Sequence, residues 1–287
     1  MINIGNLKLK SRIFLAPMHQ INDVAFRLLC KKAGAALTYT GLINPQTREE
    51  LHLDDAPALQ FACNSEKGIK DFIKKHNKNI SLYDFNLGCP SPHAKQSKIG
   101  YFMINNIKAI EEILKEIRKQ TKKPLTLKIR RMNEQQTKNI IKIAEKYCEA
   151  IAVHPRTQQQ GYSGMPDLEW ARKVKKQTKL PIIYSGNINS KQEAKAVLRE
   201  FDFIMIGRKA IGNPNIFAEL KGKKSKKITF FDWLKLAKKE EPRLSFSQIK
   251  FQAMNFTRDK EGSARLRERL SRTKAEKEII AFLSEKT

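Results

Sequence analysis

The most constraining feature of this 287-residue chain is a regular alternation of short apolar runs with amphipathic helical segments. This alternation is typical of a parallel α/β fold, in which each buried strand is followed by a helix that covers the sheet. The helical spacing of apolar residues is clearest at 107–120, 134–147 and 191–199. Eight strands are predicted, at 13–16, 36–40, 58–61, 81–86, 125–129, 150–154, 182–185 and 203–206.

Eight strand–helix units in about 220 residues predict a (β/α)8 TIM barrel, since this is the usual size of that fold. A doubly wound open sheet is the competing α/β fold, but no G-x-G-x-x-G sequence follows the first predicted strand. We therefore expect a barrel domain at 1–222, followed by a small helical domain at 223–287.

The chain is strongly basic, with 56 Lys and Arg against 29 Asp and Glu and a formal net charge of +27. The segment 223–287 alone carries 18 basic and 9 acidic residues. Such an excess predicts a polyanionic partner, and for this segment we favour nucleic acid over a set of merely solvated helix faces.

The four cysteines are far apart and include no C-x-x-C pair, which argues against both a zinc site and a disulfide framework. No run approaches the roughly 20 apolar residues that span a membrane. We expect a cytoplasmic protein, a monomer, that binds neither a metal nor a membrane.

Chemically capable residues lie at or just beyond the carboxyl ends of most predicted strands. They are Pro17 and Met18, Gln60, Asn86 and Cys89, Lys128 and Arg130, His154 and Arg156, Ser185, Gly186 and Asn187, and Gly207 and Arg208. Each has an ordinary structural explanation when taken alone, such as a solvated charge at a strand end. In a barrel, however, these ends meet at one face, so together they predict a single pocket.

Two turns rich in small residues, at 185–190 and 207–214, have the composition of a phosphate-binding site. The loops after the last two strands of a barrel often bind phosphate, through backbone N–H groups at a helix start. These turns predict a phosphorylated cofactor. By themselves they do not distinguish flavin mononucleotide from pyridoxal phosphate or a sugar phosphate, and Lys128 could form a Schiff base.

A cysteine follows the fourth predicted strand, in the segment Asn86-Leu87-Gly88-Cys89-Pro90. Gly88 and Pro90 restrict the backbone of this turn and leave the thiol of Cys89 free to enter a cleft. A buried structural cysteine is the competing interpretation, because free cysteine usually serves packing.

Several of these segments, taken in order, resemble the tRNA-dihydrouridine synthase family. The resemblance rests on Ala16-Pro17-Met18, Asn86-Leu87-Gly88-Cys89-Pro90, Lys128-Ile129-Arg130, Val153-His154-Pro155-Arg156-Thr157, Tyr162-Ser163-Gly164 and Ile206-Gly207-Arg208. It extends into the tail through Phe256-Thr257-Arg258 and 262–267, and so covers nearly the whole chain.

The resemblance implies an oxidoreductase that reduces the C5=C6 bond of uridine in tRNA, with bound FMN and with NADPH as reductant. Hydride from flavin N5 would add at C6, and Cys89 would give a proton to C5. A thiol suits this role because its ordinary pKa of about 8.5 leaves it mostly protonated at pH 7. The basic tail would bind the tRNA.

The resemblance also implies roles for the other residues. Asn86, Arg130 and Tyr162 would hold the uracil, and Lys128 would lie beside the flavin ring. The remaining cofactor contacts would come from Ala16, Pro17, Met18, Gln60, His154, Ser185, Gly186, Asn187, Gly207 and Arg208.

Two functions from other classes are alternatives to tRNA reduction. The first is an FMN-dependent oxidoreductase of a free pyrimidine, which would share the barrel and the substrate ring but would gain nothing from a basic tail. The second is a tRNA-binding protein without catalysis, against which the joint presence of Cys89, Lys128 and His154 argues.

Overall fold

In the computed structural model, which describes residues 2–47, 50–258 and 262–285, the first element is an antiparallel hairpin. Its strands are β1 (Ile2–Ile4) and β2 (Leu7–Leu9). Ile4 is fully buried among the side chains that fill the barrel, so the hairpin closes the amino-terminal end of the barrel. This hairpin was not predicted from the sequence, although Ile2-Asn3-Ile4 and Leu7-Lys8-Leu9 alternate apolar with polar residues on either side of a Gly5-Asn6 turn.

Eight parallel strands form the barrel. They are β3 (Ile13–Leu15), β4 (Leu37–Thr38), β5 (Ala58–Phe61), β6 (Leu82–Leu87), β7 (Leu125–Arg130), β8 (Ala150–His154), β9 (Ile182–Tyr184) and β10 (Phe203–Ile206). Their order is β4-β3-β10-β9-β8-β7-β6-β5, and two bridges, Tyr39 to Ala58 and Ile43 to Phe61, join β4 to β5. The TIM-barrel prediction is confirmed, and each predicted strand overlaps an observed one.

Most of the helices around the barrel begin after a residue whose side chain caps them. The helices are α1 (Val24–Lys32), α2 (Ile69–His76), α3 (Pro92–Gln96), α4 (Ile107–Gln120), α5 (Glu134–Tyr147), α6 (Leu168–Gln177), α7 (Lys191–Glu200) and α8 (Ile216–Glu219). The exceptions to this capping are α2 and α8. Asn133 and Ser190 form capping boxes at α5 and α7, where side chain and backbone exchange hydrogen bonds. Short 3₁₀ turns lie at Asn77–Asn79, Gly100–Met103 and Arg208–Ala210.

Inside the barrel, apolar side chains fill the end near the hairpin, and polar side chains lie toward the carboxyl ends of the strands. The rings of Phe14 and Phe203 stack with centroids 5.1 Å apart in the apolar part. Nearer the carboxyl ends, Lys128 pairs in register with Asn86 on one side and Ala152 on the other. At these carboxyl ends the barrel opens into a cavity that Lys128 lines.

In the described ranges of the tail, four helices follow the barrel: α9 (Phe230–Glu240), α10 (Phe246–Phe256), α11 (Ser263–Arg272) and α12 (Glu276–Ser284). Trp233 of α9 is fully buried, and its Nε1 donates to Asp23 Oδ1 at 3.0 Å. Gln252 of α10 donates to the other oxygen of Asp23 at 2.5 Å. The carboxylate before α1 thus ties two tail helices to the barrel, and its burial raises the pKa of Asp23 to about 6.

The segment 223–287, predicted to be a helical domain, contains 259–261 and 286–287, which lie outside the described residues. None of the helices in the described ranges is long and apolar enough to cross a membrane.

Candidate active site

A cavity of about 470 Å³ opens at the carboxyl ends of the barrel strands. Its lining includes twelve residues that the sequence predicts for the site: Ala16, Pro17, Met18, Lys128, His154, Arg156, Tyr162, Ser185, Gly186, Asn187, Gly207 and Arg208. These residues come from separate strand ends, and the closure of the barrel brings them together. The other predicted site residues, Gln60, Asn86, Cys89 and Arg130, lie in hydrogen-bonded groups beside and beneath this cavity.

The turn that carries Cys89 is held by the side chain of Asn86. The Asn86 Oδ1 atom accepts hydrogen bonds from the backbone N–H groups of Gly88, at 2.9 Å, and Cys89, at 2.8 Å. The thiol of Cys89 is partly buried and lies 3.4 Å from the Ser91 hydroxyl. The Ser91 hydroxyl also caps the start of α3, so the thiol lies between this helix start and the turn held by Asn86.

A buried polar group lies beneath the cavity and includes the predicted residue Gln60. Gln60 is 2% exposed, and its Nε2 donates to Asp84 Oδ2 at 2.6 Å, while its Oε1 accepts from Asn86 Nδ2 at 2.9 Å. The hydroxyl of Thr126 donates to the other oxygen of Asp84 at 2.5 Å. Burial raises the pKa of Asp84 to about 6, and the hydrogen bonds from Gln60 and Thr126 oppose that rise.

Lys128 lines the cavity from β7, between Asn86 and Ala152 in the strand register. Burial lowers the pKa of Lys128 to about 8, and the nearby carboxylate of Asp84 limits the fall. Cys89 is close enough that a thiolate there would raise the pKa values of Lys128 and Arg130. The charge on the Cys89 sulfur would therefore affect the protonation of the Lys128 amine.

The side chain of Arg130 is held by three hydrogen bonds to backbone carbonyl groups, and the residue is only 2% exposed. Its guanidinium donates to the carbonyl oxygens of Gly88 at 3.0 Å, Thr157 at 3.0 Å and Gly161 at 2.7 Å. Arg130 therefore joins the Cys89 turn to the loop 157–164, which follows β8. This loop presents Tyr162, whose side chain is 61% exposed and whose ring lies 5.5 Å from the Arg130 guanidinium.

His154 is neutral in this site. Burial is the main cause, and the positive charges of Lys128, Arg130, Arg156 and Arg208 add to it, so the pKa of His154 falls to about 2. Arg156 Nη1 lies 3.3 Å from His154 Nε2, which accepts this hydrogen bond when the imidazole proton is on Nδ1.

Positively charged side chains lie at one end of the cavity, where Asn187 accepts hydrogen bonds from two arginines. The Asn187 Oδ1 atom accepts from Arg156 at 2.9 Å and from Arg208 at 3.0 Å. Lys209 and Arg258 line the same cavity, and its described lining contains no Asp or Glu. This excess of positive charge suits a bound anion.

The start of α7 is less available to an anion than the sequence pattern indicates. Glu193 accepts hydrogen bonds from the backbone N–H groups of Asn189, at 2.7 Å, and Ser190, at 3.0 Å. Its own carboxylate therefore occupies this helix start. In the preceding turn, Asn187 has φ +40°, and Gly186 packs against Pro166.

Some lining residues were absent from the predicted site. Arg258, just after α10, reaches the cavity from the tail, and Met205 lines it from the barrel, whereas Lys209 and Asn189, which also line it, lie within the two predicted phosphate-binding turns. The only sequence signal for Arg258 is the segment Phe256-Thr257-Arg258, which is part of the family resemblance.

Among the described residues, no group of three or more His, Cys, Asp and Glu could hold a metal ion.

Residues 14–285 match the family model described as dihydrouridine synthase (Dus). The tRNA-dihydrouridine synthase B of Pasteurella multocida is 32% identical over 236 residues, which are 75% of this chain and 70% of that protein. The protein of the same name from Escherichia coli K12 is 31% identical over 76% of this chain and 74% of its own length. A probable tRNA-dihydrouridine synthase of Rickettsia bellii is 33% identical over 77% of this chain and 73% of its length.

Two solved structures resemble the fold. Histamine dehydrogenase from Rhizobium sp. 4-9 superimposes with a TM-score of 0.59 at 11% identity, over 77% of this chain. The matched part is about half of that longer chain, 47%. A mandelate oxidase variant gives a TM-score of 0.50 at 13% identity, over 76% of this chain and 72% of that one. At such low identity these likenesses show the barrel fold alone.

Proposed function

The chain belongs to the dihydrouridine synthase family, and from this premise we propose that it reduces the C5=C6 bond of a uridine in tRNA, with bound FMN and with NADPH as reductant. The observation that carries the proposal is the fixed turn of Cys89, held by Asn86 beside a cavity that contains Lys128 and ends in a cluster of cations. These features give a proton donor, a charge beside the reacting ring and an anion site.

The cavity suits FMN in size and in the distribution of its polarity. A volume of about 470 Å³ is in the range of cofactor sites. Ala16, Pro17 and Met18 offer an apolar wall for a planar ring, whereas Arg156 and Arg208 offer charge for a phosphate. When bound, FMN supplies a hydride donor that NADPH can regenerate.

The remaining cofactor residues surround these two ends. Gln60 and Lys128 would contact the ring from the barrel floor, and Lys128 would place a positive charge beside it. His154 can hydrogen bond without adding charge, because it is neutral. The rest of the cofactor would be held by Ser185, Gly186, Asn187, Gly207 and Arg208.

Cys89 would donate the proton that saturates C5 of the uracil. Its backbone is fixed by Asn86, and its thiol is partly buried, so the thiol keeps one position relative to the pocket. Positioning of this kind is the main contribution that a protein makes to general acid catalysis.

Asn86, Arg130 and Tyr162 would hold the uracil ring. The Asn86 amide has two N–H donors, of which Gln60 takes one. Arg130 holds the loop of Tyr162, whose exposed ring offers a surface on which a base can stack. Specificity for uracil would therefore depend on the loop 157–164 as well as on the strand ends.

A uridine in folded tRNA must leave its stack to reach the cavity, at a cost of a few kcal/mol. We assign the compensating contacts with phosphates to the basic tail, 223–287, and catalysis to the barrel, 1–222. The exposed residues Lys223, Lys224 and Lys227 border a groove that shares Lys209 and Arg258 with the cavity. A tRNA phosphate backbone bound there would lie next to the reacting base.

Nucleoside mass spectrometry of unmodified tRNA, after incubation with FMN-loaded protein and NADPH, tests the proposal. We expect a uridine to gain two hydrogens, and Cys89→Ala to lose most of this product. Cys63→Ala, at a buried cysteine in another loop, is the matched control and should retain it. Equal turnover of free uracil would instead support a small-molecule reductase, and protein that cannot be loaded with FMN would contradict the proposal.

A further inference from the structure

A continuous series of hydrogen bonds connects a buried carboxylate to the turn of Cys89. It runs from Asp84 Oδ2 to Gln60 Nε2 at 2.6 Å, and from Gln60 Oε1 to Asn86 Nδ2 at 2.9 Å. It ends where Asn86 Oδ1 accepts from the backbone N–H of Cys89 at 2.8 Å. The series crosses from β6 to β5 and back to β6, so it depends on the register of these two strands.

The carboxylate at one end and the backbone N–H donors at the other fix the direction of every bond in this series. An ionised Asp84 can only accept, so Gln60 must turn its NH₂ group toward it and its oxygen toward Asn86. Asn86 must then offer its own NH₂ group to Gln60, which leaves its oxygen for the Cys89 turn. If the Gln60 amide were reversed, Asn86 would lose the partner that holds its oxygen on the turn.

Asp84 has the properties of a fixed anchor for this series. It is fully buried, and it does not line the cavity. Its other oxygen is held by the Thr126 hydroxyl at 2.5 Å. Burying a carboxylate is costly unless hydrogen bonds satisfy it, and an apolar residue would fill the barrel at lower cost. Because the pKa of Asp84 is about 6, the group is ionised at pH 8.

We propose that Asp84 is a positioning residue, which orients the Gln60 and Asn86 amides and thereby fixes the turn that carries the Cys89 thiol. Its consequence for catalysis rests on the proposed function, whereas its effect on the turn does not. Asp84 does not need to contact cofactor or substrate to act in this way.

Amide hydrogen exchange of the Gly88 and Cys89 N–H groups at pH 8, in full-length protein without added FMN or tRNA, tests the positioning directly. Asp84→Ala removes the acceptor, so we expect both amides to exchange about tenfold faster, as for the loss of one or two hydrogen bonds. Asp84→Asn can still offer a carbonyl oxygen to Gln60, so it should keep exchange within about twofold of the unchanged protein.

Asp55→Ala is the matched control. Asp55 is another fully buried carboxylate, paired with Arg27 at 2.6 Å away from the cavity. Its loss should not accelerate exchange at Gly88 and Cys89 beyond the rest of the barrel. Gln60→Met interrupts the same series at its middle and should reproduce the effect of Asp84→Ala, which keeps the test decisive if that variant does not fold.

The proposal is overturned if exchange at Gly88 and Cys89 rises no more in Asp84→Ala and Gln60→Met than in Asp55→Ala. It is also overturned if Asp84→Asn loosens the turn as much as Asp84→Ala.

Dihydrouridine formation is the second readout, in which Asp84→Ala should lower kcat with little change in KM for tRNA. Failure of the unchanged protein to form dihydrouridine would contradict the proposed function and leave the exchange result intact.

Discussion

Gly100 lies directly against the backbone of Cys89: a Cβ atom at position 100 would be 2.8 Å from the Cys89 carbonyl oxygen and 3.0 Å from its Cβ. The same carbonyl accepts a hydrogen bond from the Tyr101 N–H at 3.1 Å. Gly100 has φ +61°, a conformation that favours glycine. The turn after α3 and the turn of Cys89 therefore pack as one unit, which only glycine allows at this distance.

We expect Gly100→Ala to displace Cys89 and to abolish most activity. Gly161→Ala is the matched control, because Gly161 has φ +55° but a methyl group added there would meet no atom of the described part of the chain within 4 Å. Both variants should lose about 1 kcal/mol from the positive φ. Gly100→Ala should lose about 1–3 kcal/mol more from the close approach to Cys89, as in other overpacked sites. Denaturant unfolding and dihydrouridine assays measure the two effects, and equal losses in both variants would contradict the packing argument.

The neutral state of His154 predicts a pH dependence of stability. The pKa of this group is about 2 in the folded protein, against an ordinary value of 6.5. As pH falls from 7 to 5, the unfolded chain takes up a proton at His154 and the folded protein does not, so His154 makes the fold less stable at pH 5.

Replacing His154 with Gln should remove this contribution and reduce the loss of stability between pH 7 and pH 5. The measurement is the free energy of unfolding at both pH values, in protein without added cofactor. His93→Gln, at an exposed position in α3, controls for the removal of an imidazole. In an NMR titration of the folded protein, the His154 ring should show no protonation step between pH 5 and pH 8.

The tail lysines predict a change in the salt dependence of tRNA binding. Replacing Lys223, Lys224 and Lys227 with Ala should weaken binding and lower the slope of log K against log salt by about 1 for each phosphate that is no longer neutralised. Lys8→Ala with Lys10→Ala is the control, because these lysines lie in and after the hairpin at the opposite end of the barrel. An equal change in slope for both sets would indicate diffuse charge instead of a tRNA surface.

The close approach of Gly212 to α10 predicts that barrel and tail are difficult to separate. A Cβ atom at Gly212 would lie 2.0 Å from the carbonyl oxygen of Asn255, and φ there is +68°. We expect Gly212→Ala to destabilise the protein by more than about 3 kcal/mol, since backbone must move to admit the methyl group. Gly262→Ala, also at positive φ but with no such neighbour among the described residues, should cost much less in thermal unfolding.

Several parts of the fold and site could be predicted from the sequence because their signals are local. Apolar periodicity located the eight barrel strands and gave the bounds of α4 and α5 to the residue. Strand ends marked where Lys128 and His154 would meet, since the topology of a barrel gathers these ends. The alternation in the hairpin of β1 and β2 is confined to three residues in each strand, and the approach of Arg258 from the tail had no periodic signal.

The sequence by itself determined which chemical groups stand at the mouth of the barrel, because alternation along a strand decides which side chains face inward. Only the tertiary structure decided their state. The charge of His154 depends on burial and on four cations from β7 and from the loops that follow β8 and β10, and the orientation of Asn86 depends on Asp84 through Gln60. Electrostatic and hydrogen-bond partners act through space, so residues distant in the chain set the properties of the site only after the barrel has closed.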